Sequence, residues 1–333
     1  MRFGPVPLND AEGAILAHSL VLPGGRIGKG VLLEAAHLDL ILAGGLSHVT
    51  VARLEPGDLH EDAAADSLAR AIMAGPGLVA GAAATGRVNL RATGPGIVIL
   101  DAPAIHAANL VNPMITIATV PPFQRMGARG LVATIKIIAY GVPGRDVTAA
   151  ATSAQGAIRF AAPIHASATL IETRIAAVPS DKGRRALKTR LNRLGIALTP
   201  RVVVAHQAQP IADALRAAPG RMLFILTASA TSDLADTAPE GVRAAGGTVM
   251  HFGMPVDPGN LLFLGAMGDR PVIGLPGCAR SPALNGADWV LERVACGIAV
   301  TPGDIAAMGV GGLLKEIPSR PAPRDRVRRM PDL

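Results

Sequence analysis

Residues 169–226 read TLIETRIAAVPSDKGRRALKTRLNRLGIALTPRVVVAHQAQPIADALRAAPGRMLFIL, and this stretch decides the fold class. Three apolar runs in it have the length and composition of strands, at 169–175, 202–207 and 222–229. Two amphipathic runs between them have helical spacing and each ends at a Gly, at 181–195 and 209–220. Strands that alternate with helices of this length predict βαβ units, and therefore a parallel sheet covered on both faces.

The same texture continues to about residue 298. We predict further helices at 236–247 and 281–297 and further strands at 248–253 and 271–277. The sequence therefore predicts an α/β fold, with a three-layer α/β/α domain and a mostly parallel sheet over 166–300. Ligands of such sheets bind at the carboxyl ends of the strands, so the loops after MLFIL and PVIGL are the places to look for a site.

The remainder of the chain is less regular. Residues 1–165 contain short β-type runs such as GIVILDA and MITIATV between Gly and Pro turns, and an Ala-rich helical run, EDAAADSLARAIMAG. We predict a mixed α+β region there. Residues 301–333 are rich in Pro and Arg, and we predict a C-terminal tail.

Composition limits the class of protein. Half of the 333 residues are hydrophobic but only 2% are aromatic, and the apolar runs are much shorter than the roughly 18 residues of a membrane span. The N-terminus lacks the basic and apolar segments of a secretory signal, and two cysteines cannot build a disulfide framework. We expect a cytoplasmic protein without a membrane partner.

The formal charge of +7 and a pI near 10.2 favour anionic partners. Part of the excess lies in the tail, and part lies on one predicted helix, at Lys182, Arg184, Arg185, Lys188, Arg190 and Arg193. A solvated helix face and a binding surface are equally good readings of that helix. One Trp and one Tyr supply few stacking platforms, which argues against nucleic acid.

Two loops carry the candidate chemistry. The first loop, 227–233, reads TASATSD, and its small hydroxylated residues can expose backbone N–H groups to a phosphate beside a helix N-terminus. Asp233 is either a plain helix cap or an acceptor for a polar heterocycle. The second loop, 275–282, reads LPGCARSP, where Arg280 can hold a phosphate in bidentate fashion and Ser281 can cap the next helix.

The two loops together resemble the molybdopterin-binding domain shared by molybdopterin molybdotransferases, molybdopterin adenylyltransferases and gephyrin. The matching run is TASATSDLADTAPEGVRAAGGTVMHFGMPVDPGNLLFLG, followed by PVIGLPGCARSP. GAILAHSL, GGRIGKG and LILAGGLSHVTVARL resemble the opening of the molybdotransferase chain more weakly. The nearest pattern is a bacterial subgroup that is often joined to a cytidylyltransferase-like domain.

The resemblance implies that this chain binds molybdopterin, and it implies roles for particular residues. Asp233 is the catalytic candidate, as a pterin acceptor or a positioner of Mg²⁺, and molybdate is the further co-substrate. The implied substrate-binding residues are Thr227, Ser229, Thr231, Ser232, Asp257, Asn260, Pro276, Gly277, Cys278, Arg280 and Ser281.

The chain also departs from the family pattern. Ala228 and Ala230 stand where family loops carry glycine, and Glu172-Thr-Arg-Ile175 replaces a Gly-Asp-Glu segment. Three functions therefore stay open: handling or delivery of the pterin with molybdate insertion as a further activity, a non-catalytic scaffold or sensor, and a nucleotide-processing enzyme. Expected partners are a cytidylyltransferase or a molybdoenzyme, and we expect a homo-oligomer.

Overall fold

The computed structural model describes residues 1–314, which form two compact units. The first unit comprises Met1–Gly94 and Val98–Phe160, and the second comprises Pro95–Ile97 and the chain from Ala161 onward. The boundaries predicted for three regions, 1–165, 166–300 and 301–333, stay a prediction. Each unit is α/β in composition, which confirms the predicted fold class.

The strands of the first unit are β1 (Arg2–Pro7), β2 (Ile15–Leu16), β3 (Leu20–Leu22), β4 (Gly25–Ile27), β5 (His48–Arg53), β6 (Asp58–His60), β7 (Met73–Ala74), β8 (Leu78–Ala80), β9 (Arg87–Ala92), β10 (Gly96–Leu100, of which the first two residues belong to the second unit), β11 (Ile115–Thr119), β12 (Arg125–Met126), β13 (Leu131–Ile137), β14 (Gly141–Pro143) and β15 (Ile158–Ala161). Its helices are α1 (Ala35–Ala43), α2 (Glu61–Ile72), α3 (Ala102–Val111) and α4 (Gly144–Ser153).

An antiparallel sheet in the order β11-β13-β9-β8 is the largest sheet wholly within the first unit. Helix α2 contributes its buried Ala and Leu side chains to the same core as this sheet, because its apolar residues recur at helical spacing. The side chain of Asn109 in α3 closes the edge of β11, since its amide nitrogen donates to Ile117 O at 3.0 Å and its amide oxygen accepts from Ile117 N at 2.8 Å. The predicted mixed α+β character of this region is confirmed.

The strands of the second unit are β16 (Ser167–Arg174), β17 (Ala197–Leu198), β18 (Val202–Ala205), β19 (Met222–Leu226), β20 (Thr248–Phe252), β21 (Phe263–Met267) and β22 (Arg270–Gly274). Its helices are α5 (Lys182–Asn192), α6 (Ala208–Ala217), α7 (Thr237–Ala244), α8 (Gly286–Ala295) and α9 (Pro302–Ala307). All seven strands belong to one sheet.

This sheet is parallel from β17 and β18 through β16 and β19 to β22. Apolar side chains alternate between its two faces, so β19 is buried on both. One core contains side chains of α5, α8 and α9, and the other contains side chains of α6 and α7. The predicted three-layer α/β/α arrangement with a mostly parallel sheet is therefore confirmed.

The end of the sheet differs from the predicted strand and helix alternation. Strand β21 lies between β20 and β22 and is antiparallel to both. A two-residue turn, Gly268-Asp269, joins β21 to β22, and Gly268 has φ +60°, as primed hairpin turns require. The sequence analysis did not identify β21 as a strand.

Helix α9 lies within the range predicted to be a tail. Ile305 and Met308 are buried in the same core as α5 and α8, which gives residues 301–314 a packed structure. The arginines of the predicted tail, from Arg320 onward, lie outside the described residues.

Candidate functional site

The first and second loops meet at the carboxyl-terminal edge of the parallel sheet. Strands β19 and β22 are adjacent and parallel, with Leu223 opposite Val272, so both chains leave the sheet at the same edge. The Arg280 guanidinium joins the loops, because Nη2 donates to Thr227 O at 2.6 Å and Nη1 donates to Gly277 O at 3.3 Å. Two segments about fifty residues apart in sequence therefore share one site.

The first loop has a buried base and an exposed tip. Thr227 and Thr231 are buried, and Thr227 Oγ1 donates to Ser229 O at 2.5 Å and lies 3.4 Å from Thr231 Oγ1. Ser229 and Ser232 are exposed. The two threonines thus fix the shape of the loop, and the serines present hydroxyl groups to solvent.

Asp233 and the nearby Asp236 have different positions. Asp233 is exposed and its Oδ1 accepts from Ala235 N at 2.7 Å, which forms a local turn. The N-cap of α7 is Asp236, whose Oδ1 accepts from Thr237 N at 2.6 Å and whose Oδ2 accepts from Ser232 N at 2.9 Å. The capping role that we considered for Asp233 therefore belongs to Asp236, and one Asp233 oxygen stays available.

The second loop begins with the predicted Pro-Gly turn. Pro276 is buried and its carbonyl accepts from Ala279 N at 2.9 Å, which closes a short 3₁₀ turn over Gly277–Arg280. Gly277 is exposed at the tip of this turn. The turn directs Arg280 back toward the first loop.

Arg190 of α5 stabilises the second loop through hydrogen bonds to its backbone. Its buried guanidinium contacts the Asp288 carboxylate, donates to Ala279 O and Ser281 O at 2.9 Å each, and donates to Ala283 O at 3.0 Å. The sequence analysis placed Arg190 among helix cations that were either solvated or free for binding. Both interpretations are wrong for this residue, because it lies on the buried side of α5.

Cys278 and Ser281 lie near the start of α8. The half-buried thiol of Cys278 lies 3.0 Å from the Asn285 amide nitrogen, and Ser281 Oγ accepts from Ala283 N at 3.3 Å. The N-cap of α8 is Asn285, whose side chain accepts from Ala287 N at 3.0 Å. The capping role predicted for Ser281 is therefore wrong.

The segment with Asp257 and Asn260 also reaches the start of α8. Gly286 N donates to Pro258 O at 2.8 Å, so this segment lies beside the helix end that contacts Cys278. Asn260 is exposed, and its amide nitrogen donates to Met254 O at 3.3 Å, whereas Asp257 is half-buried and its backbone bonds to Gly312 and Leu314. The segment that contains both residues thus contacts the start of α8, which follows the second loop in the chain.

Two residues that the sequence analysis missed support the first loop. Thr173, at the end of β16, accepts a hydrogen bond from Ala228 N at 2.7 Å and lies 3.0 Å from His206 Nδ1. The ends of three parallel strands are therefore linked through one buried hydroxyl. A polar residue at the carboxyl end of each strand is the signal that could have identified the pair.

Glu172, the one acid in the segment that replaces the family's Gly-Asp-Glu, is buried and ion-paired. Its side chain is 2% exposed, and its Oε2 accepts from Arg201 Nε at 2.7 Å. Arg201 also donates to Pro179 O at 2.6 Å, and the hydrogen bond from Arg201 to Glu172 raises the pKa of the guanidinium. Glu172 therefore fastens the loop before α5 and is not open to a ligand.

Residues 1–314 contain neither a candidate metal cluster nor a candidate membrane span. Within that range no three His, Cys, Asp or Glu side chains lie close enough together to hold a metal ion. No helix in the same range combines the length and apolar composition that a bilayer crossing needs.

Comparisons with known proteins give limited information. No family model matches this chain, and no curated protein matches it. Among solved structures, it is similar to a molybdopterin biosynthesis MoeA protein from Pyrococcus horikosii, with 15% identity over 89% of this chain and 76% of that chain and a TM-score of 0.33. A similarity at this level assigns no function to this chain.

Proposed function

We propose that the second unit binds molybdopterin at the carboxyl-terminal edge of its parallel sheet and handles or delivers it during molybdenum cofactor biosynthesis. The observation that carries the proposal is the convergence of the two loops, which meet where Arg280 Nη2 donates to Thr227 O at 2.6 Å. These are the loops whose residues carry the resemblance to molybdopterin-binding domains. Ligands of parallel sheets bind at this edge.

The first loop is suited to an anion such as the pterin phosphate. Within residues 1–314, the backbone N–H groups of Ser229, Ala230 and Thr231 donate to no protein acceptor. Ser229 and Ala230 are exposed, so a ligand can reach this part of the loop. Free N–H groups near a helix N-terminus attract negative charge. Arg280 adds a positive charge that its bonds to two loop carbonyls hold in place. These bonds use two of the five guanidinium N–H donors, so three remain for a ligand.

The exposed side chains supply the remaining contacts. Ser229, Ser232 and the second carboxylate oxygen of Asp233 face solvent on the first loop, where they can bond to the phosphate and the polar edge of the pterin. Cys278 contacts Asn285 at the start of α8, and the segment with Asn260 contacts the same helix start through Pro258, so both residues are candidates for further ligand contacts. Thr227 and Thr231 act through the shape of the loop.

The side chains that could bind Mg²⁺ favour binding and delivery of the pterin over molybdate insertion. Mg²⁺ prefers carboxylate oxygens and water, but Glu172 is buried in its ion pair with Arg201, and Asp233 and Asp236 are each engaged by backbone N–H groups. The described residues thus do not fit a dedicated metal cage. This observation also supports the second candidate, a non-catalytic scaffold or sensor that presents the pterin to another enzyme.

Mass spectrometry of the pterin that co-purifies with the chain tests the proposal. Calorimetry with molybdopterin and with ATP then separates pterin binding from nucleotide processing. Arg280→Gln loses the charge-assisted bond to the ligand and the bonds to Thr227 O and Gly277 O, so it should bind molybdopterin at least about 10- to 100-fold more weakly. Asp233→Ala should also reduce pterin recovery. The fluorescence of Trp289 in the second unit reports whether each variant is folded.

Arg221→Gln is the matched control. Arg221 is exposed at the opposite end of β19, where it pairs with Asp269, so this variant should retain wild-type affinity. A wild-type chain that binds ATP but no molybdopterin would overturn the proposal. Equal losses in the Arg221 and Arg280 variants would show that the site is elsewhere.

A further inference from the structure

Helix α5 has a continuous basic surface. Lys182, Arg185, Lys188 and Arg193 are exposed, and at helical spacing they fall within an arc of about 140°. No acidic residue lies between them in the sequence. We call these four residues the α5 surface.

The exposed cations of the α5 surface make few contacts that stabilise the fold. The inward arginines of the helix already have structural partners, since Arg190 contacts Asp288 and Arg184 donates to Thr199 O at 2.6 Å. On the outer side, the only ion pair among the described residues is Arg185 with Asp181, at a loose 3.7 Å. The α5 surface therefore carries charge that contributes little to stability.

Exposed aliphatic residues directly precede the helix. Ile175 is 71% exposed and Val178 is 60% exposed, and both lie between β16 and α5. Arg201 fixes this segment through its bond to Pro179 O at 2.6 Å. A short apolar stretch thus adjoins the basic helix in the chain.

We propose that the α5 surface, with Ile175 and Val178, binds an acidic segment of a partner protein that also carries aliphatic side chains. Charge complementarity identifies the partner, because the exposed cations attract carboxylates and steer their approach. Duplex DNA would not need the aliphatic pair. A bilayer would need an apolar helix face, but Ala186, Leu187 and Leu191 of α5 are buried in the core. The proposal does not depend on which ligand the loops bind.

Binding of two synthetic peptides to the full chain tests this proposal. The first is a fluorescein-labelled acidic peptide of about 20 residues with leucines at helical spacing, and the second has serines in place of the leucines. We expect the first peptide to bind more tightly, with an affinity that falls as salt rises. Arg185→Glu/Lys188→Glu should weaken binding of both peptides about tenfold or more.

Two further variants make the result specific. Arg26→Glu/Lys29→Glu changes the charge equally at two exposed residues of the first unit, and it should change the affinity less than about twofold. Ile175→Ser/Val178→Ser should remove the preference for the leucine peptide and leave the salt dependence unchanged. Equal losses in the two charge variants, absence of peptide binding by the wild type, or tighter binding of duplex DNA or phosphatidylserine vesicles through the same residues would overturn the proposal.

Discussion

Replacement of Arg190 by Met tests whether a buried ion pair organises the second loop. The Arg190 side chain is 7% exposed and the Asp288 side chain is 10% exposed, so the variant leaves a nearly buried carboxylate without its partner. Removal of one partner of a buried pair costs about 3–5 kcal/mol. The carbonyls of Ser281 and Ala283 belong to exposed residues and can bind water, whereas Ala279 is buried and its carbonyl adds about 1 kcal/mol. We expect a loss of about 4–6 kcal/mol in the free energy of unfolding.

The chain contains a convenient probe for this measurement. Its single Trp, Trp289, follows Asp288 in α8, so urea unfolding monitored by Trp fluorescence reports the second unit. Arg185→Met, at an exposed position of the same helix, should change stability by at most about 0.5 kcal/mol. Adding Asp288→Asn to Arg190→Met should recover part of the loss, because no unpaired charge then remains. Recovery should be incomplete, since the buried Ala279 carbonyl still lacks the Arg190 donor.

A loss below about 1 kcal/mol in Arg190→Met would refute this reasoning, because it would place the pair in the range of exposed ion pairs. An identical loss with and without Asp288→Asn would also refute it. In that case the penalty would come from lost packing of the arginine stem and not from the unpaired carboxylate.

Three other predictions concern separate parts of the molecule. Asp236→Ala removes the N-cap of α7 and should lower the unfolding free energy of the second unit by about 1 kcal/mol. The same fluorescence assay measures this loss, and an unchanged free energy would contradict the capping role. Burial raises the pKa of the Glu61 carboxyl above its ordinary 4.5, so its contribution to stability is complete below that pH and is lost as the pH rises through the raised value. Hydrogen exchange in α2 should therefore quicken over that range in the wild type and less so in Glu61→Gln, and the same pH response in both would contradict the assignment. Burial raises the pKa of the Cys296 thiol to about 12, so iodoacetamide near neutral pH should modify the half-buried Cys278 much faster, and equal labelling by peptide mass spectrometry would contradict this difference.

The α/β part of the second unit could be predicted because β16, β18, β19 and β22 are each followed by a helical run with its own stop signal. The antiparallel strand β21 was missed because LLFLGAM reads as a continuous apolar run, without the alternation of a half-buried strand. The turn after it, Gly268-Asp269, was the available signal. In the first unit, runs of two to seven residues indicate strands but not their partners, since pairing depends on contacts far apart in the sequence.

The site could be predicted at the level of loops and less well at the level of side chains. Parallel strands end at a common edge, so the meeting of residues 227–233 and 275–282 followed from topology alone. Arg190 was misplaced although the sequence contains the clue. It falls on the stripe of Gly183, Ala186, Leu187 and Leu191, and a cation on an apolar stripe implies a buried partner elsewhere in the chain.

The residues that stabilise the two loops bond to the loop backbone and not to the exposed side chains that would contact a ligand. Thr173 and Asp236 accept from backbone N–H groups of the first loop, and Arg190 donates to backbone carbonyls of the second. None of these bonds uses the exposed side chains of Ser229 or Asp233. Substitutions at the exposed positions should therefore change ligand contacts while the loops keep their conformation, whereas substitutions at the stabilising residues should change loop conformation first. Loops held in this way keep their conformation without a ligand, so binding of the proposed ligand would have a lower entropic cost.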